Sequence, residues 1–82
     1  MKPRKLALGN RNLIGARVTQ ARAAQNMKQL ELLAKLQLAG IDISSPALSL
    51  LEGQKRPVSD IELKALADIL NVSVDWLLGR DS

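Results

Sequence analysis

Apolar residues recur along this chain at helical spacing, and nowhere in the strict alternation of a strand. Ile14, Val18 and Ala21 fall at i, i+4 and i+7, on one stripe of a helix. Asn12 precedes them and suits an N-cap, because its side chain accepts from an orphan first-turn amide. A first helix is expected from there to about Gln25. Arg22 lies one i+4 step beyond Val18, so a charge sits on the apolar stripe and needs a partner. Asn26 and Met27 break the pattern. A second helix is expected from Lys28 to about Leu38, with Leu32, Leu33 and Leu36 grouped and Leu30, Ala34 and Leu38 widening the face. Gly40 suits the position after its end, where a left-handed backbone costs glycine nothing.

Ile41-Asp42-Ile43 reads as a short extended link. Ser45-Pro46 reads as N-cap and first helical residue, since proline's missing N–H is not needed there. That leaves Ser44 outside a third helix of about 46–52. Leu48, Leu51 and Glu52 share one face of it, again with a charge among apolar residues. Gly53 ends it, and a loop carries Lys55, Arg56 and Pro57. Ser59 and Glu62 have the spacing of a capping box, in which each side chain bonds the other's amide. The fourth helix then runs to about Leu70, with Leu63, Leu66, Ala67 and Leu70 inward and Asn71 as terminator. Ser73 caps a short fifth helix that holds Trp76 and closes at Gly79. The expected division is a basic flexible arm over 1–11, one domain over 12–79 and a short tail over 80–82.

Composition narrows the chemistry. The 82 residues allow one domain. The chain has no Cys, His, Tyr or Phe, and Trp76 is the single aromatic. Without Cys there is no disulfide and no thiolate metal site. Without His or Cys the commonest catalytic bases and nucleophiles are missing, so no enzyme and no cofactor or metal is expected. The longest apolar runs are too short to span a membrane, and no signal core follows the basic N-terminus, so the expected location is cytoplasmic.

The net charge of +4 is unevenly spread. Residues 1–28 hold seven basic residues and no acidic one; the remainder hold five basic and eight acidic, a net of −3. Such asymmetry points to a polyanion partner, with a solvated basic tail as the plainer reading.

Five short helices with a brief second-to-third connection suggest a helix-turn-helix domain. Over 14–79 the chain resembles the phage-repressor (Cro/repressor, XRE-type) helix-turn-helix family. The ending Leu70-Asn71-Val72-Ser73-Val74-Asp75-Trp76-Leu77-Leu78 is similar to the end of its repressor domains. Ile14-Gly15 with Arg22 resembles the family's first helix, Lys28-Gln29 stands where Thr-Gln is usual, and Leu48-Ser49-Leu50-Leu51-Glu52 resembles the end of its recognition helix. The resemblance implies an all-α, five-helix, lambda-repressor-like domain that regulates transcription, binds double-stranded DNA and acts as a homodimer, with dimer surface near the fifth helix.

It also implies roles for residues. Arg22 and Glu52, the two charges on apolar stripes, would form a structural ion pair. The third helix would enter the major groove, presenting Ser45, Ala47, Ser49 and Leu50. None of these can make the bidentate contacts that guanine or adenine invite, so affinity would rest on phosphates. Gln29 and Lys28 at the second helix's start, Lys55 and Arg56 past the third helix, and Arg11 in the arm are the expected backbone contacts. The link between helices two and three is longer than the family's usual turn, Leu33 replaces a usual Ala, and Gly53 comes one place early. Trp76 is expected in the core or at a dimer contact. The competing reading is a protein-interaction module that keeps the fold but has lost DNA reading, with Ala47, Leu50 and the Ile41–Ile43 link as its exposed apolar surface.

Overall fold

The computed structural model of the protein describes residues 10–80. They form five helices and no strand: α1 (Gly15–Ala24), α2 (Gln29–Leu38), α3 (Ser45–Glu52), α4 (Asp60–Leu70) and α5 (Val74–Leu77). The core joins all five, from Ile14, Val18 and Ala21 through Leu32, Leu36, Ile43, Leu48 and Leu51 to Leu66, Ala67, Leu70 and Leu77. α1 and α2 each pack on both α3 and α4, and α5 closes against α4. Burial of the Leu, Ile and Val side chains of this core, about 1.5–3 kcal/mol for each, is the main force holding the short helices together. No helix among the described residues is long and apolar enough to cross a membrane.

Local chemistry sets most of the helix ends. Ser59 Oγ accepts from the Glu62 amide at 3.2 Å, while Glu62 Oε1 accepts from the Ser59 amide at 3.0 Å, completing the expected capping box. Ser73 Oγ accepts from the Trp76 amide and starts α5. Asn71 takes a left-handed backbone with φ of 59° at the end of α4. Gly40, with φ of 89°, turns the chain out of α2.

Other ends differ from expectation. α1 begins at Gly15 with Ile14 at the N-cap, so Asn12, the expected cap, lies two places before that position, although its side chain still meets the entry of the helix. Its Oδ1 accepts from the Ile14 and Gly15 amides at 3.1 and 2.8 Å. The Asn12 amide group also donates to the carbonyls of Leu51 and Arg56, which ties the entry of α1 to the exit of α3. Gly15 is required by that approach: a Cβ there would overlap the carbonyl oxygens of Leu51 and Glu52.

The α3 cap is Ser44, not Ser45. Ser44 has an extended backbone and its Oγ accepts from the Ala47 amide at 3.2 Å. Ser45 is the first helical residue and Pro46 the second. Proline fits either place, since every first-turn nitrogen lacks an intrahelical acceptor. At the other end Gly53 is ordinary in backbone, and Gln54 is the left-handed residue with φ of 61°.

Two apolar groups also differ. Leu30, Ala34 and Leu38 do not widen the buried face of α2; Leu30 is 71% and Leu38 88% exposed. Helix geometry explains it, because these three lie opposite Leu32 and Leu36. In the link, Ile43 is buried and Ile41 packs against the core, so the longer connection contributes to the interior. Residues 1–9 of the expected arm over 1–11, and the tail residues 81–82, lie outside the described residues. At Arg11, the last residue of the expected arm, the amide donates to the Gln54 carbonyl at 2.9 Å. Arg80, the first residue of the expected tail, donates its amide to Asp75 O at 2.8 Å.

Candidate nucleic-acid interface

The site is organised by one buried carboxylate. Glu52, at the end of α3, is 8% exposed. Arg22 on α1 grips it in two places, Nε to Oε2 at 3.0 Å and Nη2 to Oε1 at 2.9 Å. The bidentate geometry matches a planar guanidinium to a planar carboxylate. Thr19 Oγ1 donates to the same Oε1 at 3.1 Å, and Gln29 Nε2 donates to it at 3.2 Å. Arg22 Nη1 also donates to the Met27 carbonyl, in the turn between α1 and α2. The two charges that interrupt apolar stripes therefore meet, and three helices are fixed around them. Thr19 and the Met27 carbonyl carry no sequence signal beyond being polar groups near a charge.

The same network holds the predicted contact residues of α2 and α3 together. Ser49 Oγ donates to Gln29 Oε1 at 3.2 Å. Gln29 thus bridges Glu52 and Ser49, and its amide keeps one unengaged N–H. Lys28, beside it, is exposed. The backbone amide of Lys28 donates to Glu31 Oε1 at 3.0 Å, so a carboxylate already stands at the start of α2. The positive end of the α2 dipole favours that placement, and any anion docking there meets Glu31 as a competitor.

On α3, Ser45, Ser49 and Leu50 are exposed, with Leu50 at 46%. Ala47 is half-buried and packs against the core. The exposed apolar surface expected of the interaction-module reading is thereby reduced to Leu50, since Ile43, Ile41 and Ala47 all turn inward.

The cations divide into two kinds. Lys55 is exposed past the end of α3, and Arg11 is exposed next to it, held there by the Arg11–Gln54 backbone bond. Arg56 is different: its guanidinium meets both Glu62 oxygens, at 3.3 and 3.2 Å, and is engaged in holding the loop to α4. Trp76, on α5, is half-buried. Arg17 lies over its ring at 4.9 Å from the centroid and donates to its carbonyl, a pairing the sequence pattern did not signal. Beside it an open groove of about 420 Å³ runs between α1 and the ends of α4 and α5, lined by Gln20, Ala24, Gln25 and Val72 among others and by no ionisable side chain. Among the described residues no group of three acidic, His or Cys side chains is placed to hold a metal ion.

The class these features define is an all-helical domain, with five helices among the described residues, whose first and third helices are joined by a largely buried ion pair to which Gln29 of the second is hydrogen-bonded. Comparison with protein-family models, curated proteins and solved structures found no match.

Proposed function

We propose that the protein is a duplex-DNA-binding transcriptional regulator of the phage-repressor type. In this reading α2 and α3 form the helix-turn-helix and α3 enters the major groove. The observation that carries it is the Glu52 network. It locks Arg22, Gln29 and Ser49 into one frame, and leaves the outer face of α3 exposed between Lys28 at one border and Lys55 and Arg11 at the other. Cations flanking an uncharged reading helix suit phosphates on either side of a groove.

The reading face is permissive. Ser45 and Ser49 make single hydrogen bonds and Leu50 offers methyl groups to thymine. Ser49 spends its proton on Gln29, so toward a base it offers an acceptor. That suits the amino groups of adenine and cytosine and gives guanine's major-groove edge nothing to bond. Specificity is therefore weak and affinity phosphate-dominated.

A mobility shift against random and genomic duplex at low salt tests the proposal, with native protein beside Leu50→Lys. Both are expected to shift the duplex, and the added cation to hold or raise affinity. No shift by folded native protein, together with a partner contact abolished by Leu50→Lys, would establish the interaction-module reading instead.

A further inference from the structure

α2 has two apolar faces. The inner one, Leu32 and Leu36, is fully buried. The outer one is Leu30, Ala34 and Leu38, at i, i+4 and i+8, with both leucines more than two-thirds exposed at 71% and 88%. A contiguous outward apolar stripe of this kind is a candidate contact surface. Its margins differ. Glu31 and Lys35 border one side and Gln37 the other. Neither Glu31 nor Lys35 is in an ion pair among the described residues, although they stand at i and i+4.

We propose that this face binds the same face of a second copy of the chain, antiparallel, about a twofold axis passing beside Ala34. Leu30 then faces Leu38 of the second copy, and the two Ala34 side chains let the helices approach. The charges choose this orientation. Along the axis Lys35 lies about 1.5 Å to one side of Ala34 and Glu31 about 4.5 Å to the other. An antiparallel twofold keeps like margins together, which brings Glu31 within about 3 Å along the axis of Lys35 from the second copy, twice over; the two Lys35 come equally close to each other once, so the attractive contacts outnumber the repulsive one. A parallel twofold would set the Glu31–Lys35 margin against Gln37, with no charge to answer it. A helix of ten residues offers a small interface. The dimer is therefore weak and reversible, with a dissociation constant on the order of 0.1 mM.

The proposal goes beyond the DNA reading and is tested without DNA. Sedimentation equilibrium of the full chain, up to about 1 mM, is expected to show a mass rising from 8.9 kDa toward twice that value. Leu38→Asp is expected to remain monomeric with an unchanged circular-dichroism spectrum. Lys35→Glu is the cleaner single charge reversal, because Glu31 also caps the Lys28 amide. It is expected to weaken association at least about tenfold, and the double variant Glu31→Lys/Lys35→Glu to return it to within about threefold of native. Native protein monomeric throughout would overturn the proposal. So would a Leu38→Asp variant that dimerises like native, which would place the contact elsewhere, such as α5. Failure of the double reversal to recover association would overturn the antiparallel register.

Discussion

Glu52 is the residue on which the most depends. It is nearly buried, and its two oxygens receive bonds from Arg22, Thr19 and Gln29. The net worth of the intact pair is modest, because two charges leave water to form it. Removing one side is another matter. Arg22→Ala leaves a buried carboxylate without its counter-charge and is expected to cost about 3–5 kcal/mol. Urea unfolding checks this, and a loss below about 1 kcal/mol would mean that the pair behaves as a surface bridge. Gly15 carries a second sharp dependence. Gly15→Ala drives a methyl into the Leu51 and Glu52 carbonyls and is expected to destabilise by about 1–3 kcal/mol, despite alanine's better helix propensity. A stabilised Gly15→Ala protein in the same assay would contradict the close approach. Gln54 completes the region. It is buried with a left-handed backbone; its Nε2 donates to the Asn12 carbonyl and its Oε1 has no partner. A glycine one place later in the sequence would relieve that backbone, which gives the early position of Gly53 a physical consequence.

At the scale of elements, the helix starts are governed by single side chains. Ser44→Ala is expected to cost about 1 kcal/mol and Ser45→Ala only a few tenths, because the α3 cap bond is made by Ser44. Equal losses in thermal unfolding would contradict that assignment. The one-residue displacement shows where the pattern along the chain is ambiguous. Ser44 and Ser45 have the same side chain, and proline is tolerated at either of the first two helical places. By contrast Asn71 and Ser73 have no neighbour of equal competence, and Ser59, although Asp60 follows it, is singled out by its capping-box spacing to Glu62; those ends fell where the pattern put them. The Arg22–Glu52 pair was also legible, because each charge breaks an apolar stripe. The direction of Leu30, Ala34 and Leu38 was not. In α2 leucine or alanine occupies six of ten positions, so more than one face reads as core and only packing decides which is buried. The Glu31 carboxylate at the start of α2 was likewise missed. A fixed local bond, not periodicity, puts it where an anion was expected.

Over the whole molecule the charge is best seen as a few placed cations. Seven basic residues lie in the first 28, yet Arg22 is consumed by Glu52 and Arg17 sits on Trp76. Arg56 is similarly held by Glu62. Lys64 on the outer side of α4 is paired with Asp68 at 2.8 Å; the hydrogen bond first, and the carboxylate's charge second, raise its pKa above the ordinary lysine value. Lys28, Lys55 and Arg11 remain exposed near α3, and they are the cations through which a duplex backbone would be held. The central claim is that α3 lies in a DNA groove with the phosphates carrying the affinity. Fluorescence-anisotropy titration of a labelled duplex across a salt series tests it most directly. With these three cations each neutralising one phosphate, the slope of log K against log salt is expected to be about −3 per protomer, and shallower by about one for Lys55→Ala. A folded protein that binds no duplex at the lowest salt, or binds with a slope near zero, would contradict it.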